Sequence, residues 1–289
     1  MTDDERLAKN NKIREKGKET RLRRASQACF TYTVKIDESS LSKKQKEQLK
    51  MIFVEAKWLY NYILNYSENN DVKDFNTKIK TISIKIKDGE FVEKELKYIS
   101  ARMKQAVLAG ILNNIKSLSA LKKNGRKVGK LKYLSEYKSI DLQQYGHTYK
   151  ILSDDKIKIL RVSGKIRVNG LKQFINDPDI EIANAKLLNT PRGYYITIIC
   201  FKPKDKIDKK EYIGGEIGVD MGIKDAITLS NGLKFKSSVE ETERLKKLQR
   251  KLSRQIKGSN NRRKTIKLIR REYQKITNRK NDQANKIVN

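Results

Sequence analysis

The sequence predicts an α+β protein of more than one domain, a β-barrel interrupted by a helical insertion and followed by a second module that opens on strands and ends in a basic helical hairpin. Three observations predict it. Runs that alternate with period two lie at 28–36 and again between 156 and 201, two long stretches with helical spacing separate them, and the charged segment KPKDKIDKKEY, residues 202–212, closed by Gly214-Gly215, sets the remainder apart. A chain of 289 residues has room for two or three hydrophobic cores.

Charge dominates the composition. Sixty-six Lys and Arg against 34 Asp and Glu leave +32, far more than solubility needs, which implies a polyanionic partner, most commonly nucleic acid. No apolar run approaches the roughly 20 residues that span a bilayer, and the start lacks the apolar segment of a secretory signal, so no membrane partner is expected. Cys29 and Cys200 form no C-x-x-C pair, and His147 is the single histidine. A disulfide framework, a His-rich metal site and a catalytic triad built on any other histidine are thereby excluded, and a reducing cytoplasm is the default compartment.

Residues 1–27 read as a basic, mobile N-terminal arm. Residues 28–38 carry the first barrel strand, in which Phe30, Tyr32, Val34 and Ile36 share one face and Thr31, Thr33 and Lys35 the other. Residues 39–121 are the helical insertion. Ser42 with Gln45 is a capping-box pattern, and Leu49, Ile52, Phe53, Ala56, Leu59, Tyr60 and Ile63 follow at helical spacing. A lysine-rich hairpin turning at Asp88-Gly89 comes next, and Ser100 opens a second helix that ends near Gly125. Residues 122–213 are the rest of the barrel and a linker. They begin with KKNGRKVGK, where Lys122, Lys123, Arg126, Lys127 and Lys130 crowd a glycine-containing loop and are candidate phosphate contacts. KIKILRV and KIRVNGL read as a hairpin turning at Ser163-Gly164, and AKLLNT and YYITIICF as one turning through Pro191, Arg192 and Gly193. The first strand, lacking a local partner, is expected to pair with this later set. Trp58, Tyr60 and Tyr62 suit base stacking, although their helical spacing favours core packing.

Residues 214–289 form the second domain. Alternation over 216–223 puts Ile217, Val219, Met221 and Ile223 on a core face and Asp220 between Gly218 and Gly222 on the other, leaving the carboxylate bare space for a ligand. A hairpin with a two-residue type I′ turn at Asn231-Gly232 follows. From Arg244 to Lys286 the final helices hold seventeen Lys or Arg and two acidic residues. Arg254, Lys257, Arg262, Arg263 and Lys264 around their break are candidate nucleic-acid contacts. Three readings of Asp220 stand: a structural acid at a strand end, the first strand of an actin-like or sugar-kinase ATPase, and a metal-binding carboxylate of a ribonuclease H-like nuclease. The ATPase turn usually continues with Thr or Ser, where this chain has Ile223-Lys224-Asp225, and +32 favours the nuclease.

IGVDMGIKDAITLSNG resembles the first RuvC motif of the TnpB family, transposon-encoded RNA-guided DNA nucleases related to compact type V CRISPR effectors. The resemblance is collinear from about Ala28 to Asn289. LSKKQKEQLKMIFVEAKWLYNYIL is similar to the family's first helix, ISARMKQAVLAGILNNI to its second, and VGKLKY to the basic glycine element after it. LLNTPRGYYITIICF is similar to the hairpin before the nuclease domain, and RKLSRQIKGSNNRRKTIKLIRREYQKITNRKND to the basic helical pair. The resemblance implies a wedge-like barrel with a helical recognition region, an incomplete RuvC domain, a guide RNA and a target DNA as partners, and a prokaryotic, nucleoid-associated protein. It implies Asp220 as the first catalytic carboxylate and a ligand of Mg2+ in a two-metal site, with Asp225 a structural companion. Family members carry, after the basic helices, a catalytic Glu, a four-cysteine zinc element and a last Asp, none of which can be placed in this chain. The expectation is therefore a portion of a longer nuclease, inactive alone, with a nuclease-dead RNA-guided DNA-binding protein as the alternative. A Glu, C-x-x-C pairs and an Asp encoded after codon 289 would separate the two.

Overall fold

The computed structural model describes residues 2–86, 89–207, 216–222, 227–236 and 241–288, and the chain divides into two units, Met1–Ile207 and Asp208–Asn289. The expected N-terminal arm is instead a helix, α1 (Asp3–Ser26), closed at its start by a capping box of Thr2 and Glu5. Its charges lie on every side, so no apolar period betrays it in the sequence. Arg23 and Arg24 near its end bind Glu181 at 3.0 and 2.7 Å, and the Arg24 guanidinium lies 4.7 Å from the centre of the Phe201 ring.

Strand β1 (Gln27–Ile36) alternates as its sequence requires, with Val34 and Ile36 buried and Thr31, Thr33 and Lys35 exposed. Helix α2 (Lys43–Tyr66) starts on the Ser42–Gln45 capping box and buries Leu49, Ile52, Phe53, Ala56, Leu59 and Ile63. Strands β2 (Thr81–Lys85) and β3 (Phe91–Glu95) are the lysine-rich hairpin, and Asp88 of its expected turn lies outside the described residues. Helix α3 (Ala101–Lys123) begins at Ser100, whose hydroxyl accepts the Met103 N–H.

Six strands follow: β4 (Ser139–Leu142), β5 (Tyr149–Ser153), β6 (Lys156–Ile159), β7 (Ile166–Asn169), β8 (Glu181–Thr190) and β9 (Gly193–Pro203). With β1 they form one antiparallel sheet in the order β4-β8-β9-β1-β7-β6-β5, curled into a nearly closed barrel. The first strand finds the expected late partners, β9 from Gln27↔Pro203 to Lys35↔Tyr195 and β7 at Ile36↔Val168. Inward barrel residues and the buried faces of α2 and α3 make one continuous core. Cys29 is exposed and Cys200 buried, and they pair with Phe201 and Phe30 respectively, so the two thiols sit on opposite faces of the sheet.

One turn in unit one differs from expectation. The β6–β7 connection is a six-residue loop rather than a tight turn at Ser163-Gly164. Its backbone bonds to α2 instead of across a hairpin: Gln45 Nε2 donates to the carbonyls of Ser163 and Lys165 at 2.8 and 3.0 Å, and Gln48 Oε1 accepts the Ser163 N–H at 2.9 Å. The β8–β9 turn does use Gly193, for a steric reason. A Cβ there would lie 2.0 Å from Glu38 Oε1, which accepts the neighbouring Tyr194 N–H at 3.0 Å.

Unit two has a three-stranded antiparallel sheet, β10 (Val219–Asp220), β11 (Ile227–Leu229) and β12 (Lys234–Phe235), followed by helices α4 (Glu243–Ser253) and α5 (Asn260–Val288). Inside the hydrogen-bonded Leu229–Leu233 pair the β11–β12 loop has three residues, not two. Gly232 N–H bonds the Leu229 carbonyl and Leu229 N–H the Leu233 carbonyl, with only Gly232 in the left-handed region. A type I′ turn would need Asn231 there as well. The face expected as core is open: Ile217, Val219 and Met221 are 46, 59 and 82% exposed. A sheet of such short strands buries a face only where a second layer packs on it. Ile223 lies outside the described residues.

Candidate nucleic-acid interface

In unit one the basic cluster is built on a helix end. Helix α3 closes with Gly125 N–H on the Lys122 carbonyl at 3.0 Å and Arg126 N–H on the Leu121 carbonyl at 3.1 Å, the paired bonds of a Schellman motif, and Gly125 takes φ +74°. Lys122 and Lys123 therefore belong to the last helical turn, and Arg126, Lys127 and Lys130 to the loop that leaves it. All five side chains are exposed, and among the described residues none has an acidic partner. Carbonyls at a helix end favour nearby cations, and the left-handed glycine turns the chain so that three more follow. The loop is then pinned to α2. Asn61 donates to the Leu134 carbonyl at 2.9 Å and accepts its N–H at 2.8 Å, while the Tyr133 hydroxyl donates to Glu68 at 2.9 Å.

In unit two the candidates flank the break between α4 and α5. Arg254, Lys257, Arg263 and Lys264 are exposed. Arg262 is half-buried and already engaged, its guanidinium donating to the Leu252 and Gln255 carbonyls at the end of α4. It is a structural cap, which the sequence did not distinguish from its neighbours. The sequence also missed what joins the helices. Glu272, 5% exposed on α5, accepts from Lys275 at 2.9 Å and lies 3.5 Å from Arg244 of α4. The Lys275 hydrogen bond, with the charges of Lys275, Arg244 and Arg279, holds its carboxyl below the usual glutamate value. One of only two acids in this basic run was the available signal.

Asp220 ends β10 and is exposed, with Thr228 opposite it in the register. The space expected beside it is partly taken. Gly218 N–H donates to Ser230 Oγ at 3.0 Å, and a Cβ on Gly218 would sit 3.4 Å from the Ser230 Cβ. Asp225 lies outside the described residues, and among those described no three His, Cys, Asp or Glu side chains gather to hold a metal. One exposed carboxylate does not fit a two-metal centre by itself, so the geometry yields no hydrolytic step.

The three candidate stacking aromatics separate by burial. Tyr60 is buried, its ring 6.0 Å from that of Tyr137, while Trp58 and Tyr62 stay half-buried at the surface of α2. A second missed acid, Glu55 on the same helix, is 1% exposed and accepts the backbone N–H groups of Lys97, Tyr98 and Ile99 just ahead of α3. Among the described residues no helix is long and apolar enough to cross a membrane.

Comparison with known proteins adds two findings. Residues 199–289 match the OrfB_IS605 family model, described as "Probable transposase". Over 97 residues the chain is 33% identical to a Streptomyces pristinaespiralis protein described as "Putative RNA-guided DNA endonuclease", a match that takes in 32% of this chain and 23% of that protein.

Proposed function

We propose that this chain, whose assignment to the TnpB family both matches support, is the guide-holding portion of an RNA-guided DNA endonuclease. The observation that carries this reading is charge without counter-charge: five exposed cations at the end of α3, and Arg254, Lys257, Arg263 and Lys264 at the α4–α5 break, in a chain of net charge +32. Side chains of this kind neutralise phosphates irrespective of base sequence, which suits a protein that leaves sequence reading to guide–target pairing. The barrel and its helical insertion act as the wedge-like and recognition parts, and the strands around Asp220 as the opening of a RuvC-like domain. Asp220 contributes a carboxylate to a Mg2+ site whose other ligands are not among the described residues.

Purification of the chain from cells tests the binding half. Copurified RNA of one defined size supports a structured guide, and its absence rejects it. In the complete protein, Asp220→Ala abolishes Mg2+-dependent DNA cleavage while guide affinity stays within a few fold. Retained cleavage removes Asp220 from the metal site. Guide-dependent DNA binding with no cleavage by the unaltered complete protein favours a nuclease-dead binder.

A further inference from the structure

A groove of about 670 Å3 runs between α2 and the β2–β3 hairpin; none of the candidate phosphate contacts named above lies in it, but two of the three stacking candidates, Trp58 and Tyr62, do. Its volume falls within the roughly 300–1,000 Å3 that small-ligand pockets occupy. Trp58 and Tyr62, one helical turn apart on α2, line it with Phe91 from β3 and Tyr133 from the pinned loop. Phe91 is 66% and Tyr133 56% exposed, so these rings are not held there by core packing. Lys57 and Lys85 stand at the same groove without acidic partners among the described residues. The Trp58 indole N–H and the Asn65 amide, also on this face, likewise have no hydrogen-bond partner among the described residues.

Aromatic faces, cations and unused donors in one cleft suit a base with its phosphates. We propose that this groove takes an unpaired nucleotide of single-stranded nucleic acid, its base stacked on the aromatic lining and its flanking phosphates met by Lys57 and Lys85. An aromatic groove alone also suits a proline-rich peptide, but two lysines in a chain of +32 favour the polyanion. The inference rests on the nucleic-acid reading above for the class of partner, and adds that bases, not only phosphates, are held.

Trp58 is the single tryptophan, so its fluorescence reports this groove directly. The full chain is titrated with end-labelled oligothymidylate of about ten nucleotides, within the site sizes that such grooves cover, and with an abasic strand of equal phosphate count. Anisotropy reads binding and Trp58 emission reads stacking. Both strands are expected to bind, with quenching by the thymidylate alone. Phe91→Ala should weaken thymidylate binding about 5- to 150-fold, the usual range for losing one stacked base, and leave the abasic strand unaffected, while Phe91→Tyr restores affinity. Binding without quenching, equal quenching by the abasic strand, or quenching by a proline-rich peptide alone overturns the proposal and leaves the phosphate-binding reading intact. Failure of both strands to bind removes both.

Discussion

Glu55→Ala should unlock the helical insertion from within. The carboxylate takes the Lys97 N–H at 3.0 Å on Oε1, and the Tyr98 and Ile99 N–H groups at 2.8 and 2.9 Å on Oε2. These residues lead directly into the Ser100 cap, so a side chain of α2 fixes where α3 begins. Alanine leaves three amides without an acceptor, at about 1–3 kcal/mol each. Water admitted to the vacated space and relief of the buried charge recover part of this, so the lower bound, about 3 kcal/mol in all, is the expected loss. Glutamine keeps an oxygen for the Tyr98 and Ile99 pair and turns its NH2 on the Lys97 N–H, for a loss of about 1 kcal/mol. Urea unfolding followed by Trp58 fluorescence checks this, because the reporter lies three residues along the same helix. An alanine variant within about 0.5 kcal/mol of the parent, inside ordinary surface-mutation scatter, refutes the reasoning. A pH series sharpens the test. Burial pushes the Glu55 carboxyl above its ordinary 4.5, outweighing the three N–H donors and Lys104, so the folded chain holds the proton more tightly than the unfolded one. The contribution is full below 4.5 and lost as pH rises through the raised value, so the advantage of the parent over Glu55→Gln should shrink across that window.

Three further outcomes are expected. Glu272→Gln should loosen the α4–α5 pair by about 1–2 kcal/mol, read by amide exchange in α5. Because the folded carboxyl titrates below its ordinary 4.5, its contribution is full above that value and fades as pH falls through the lower one, a fading absent from the variant. Gly125→Ala meets no steric obstacle but forces φ +74° on a side chain, and should cost about 1–2 kcal/mol where Gly125→Asn costs less. Replacing Lys127 and Lys130 together by Gln should reduce the slope of log K against log salt for single-stranded RNA by about 1.4, since each lost phosphate contact removes about 0.7. An unchanged slope places the phosphates elsewhere.

The barrel and its insertion were legible where one signal dominates. Period two marked β1, β8 and β9, and the Ser42–Gln45 box marked the start of α2, because those patterns are local consequences of backbone geometry. What escaped was non-local. The same Gln45 also clasps the Ser163 and Lys165 carbonyls, 118 and 120 residues on, which is why the β6–β7 connection opens into a loop. Strands β4 and β5 were missed because SIDL and YKILS stand among polar residues, whereas β6 and β7, no longer, sit inside the extended apolar runs KIKILRV and KIRVNGL. Helix α1 was missed for the opposite reason, since its propensity is high and its amphipathicity absent.

The candidate site divides along the same line. Composition found the basic clusters, because net charge needs no geometry to be read, but composition cannot tell a cation that is free to meet a phosphate from one already engaged. Arg262 and Arg263 are adjacent and chemically identical. One closes the end of α4 through two carbonyls and the other faces solvent. Asp220 shows the converse limit. Alternation correctly set it on the opposite face from Val219, yet it assumed that Gly218 leaves emptiness, where the residue just after the partner strand, Ser230, comes against it, and that the other face is covered, where Met221 stands open. A pattern in one strand fixes which side chains share a face. What lies on that face is decided by the neighbouring strand and the next layer, so the role of Asp220 turns on residues that its own strand cannot specify.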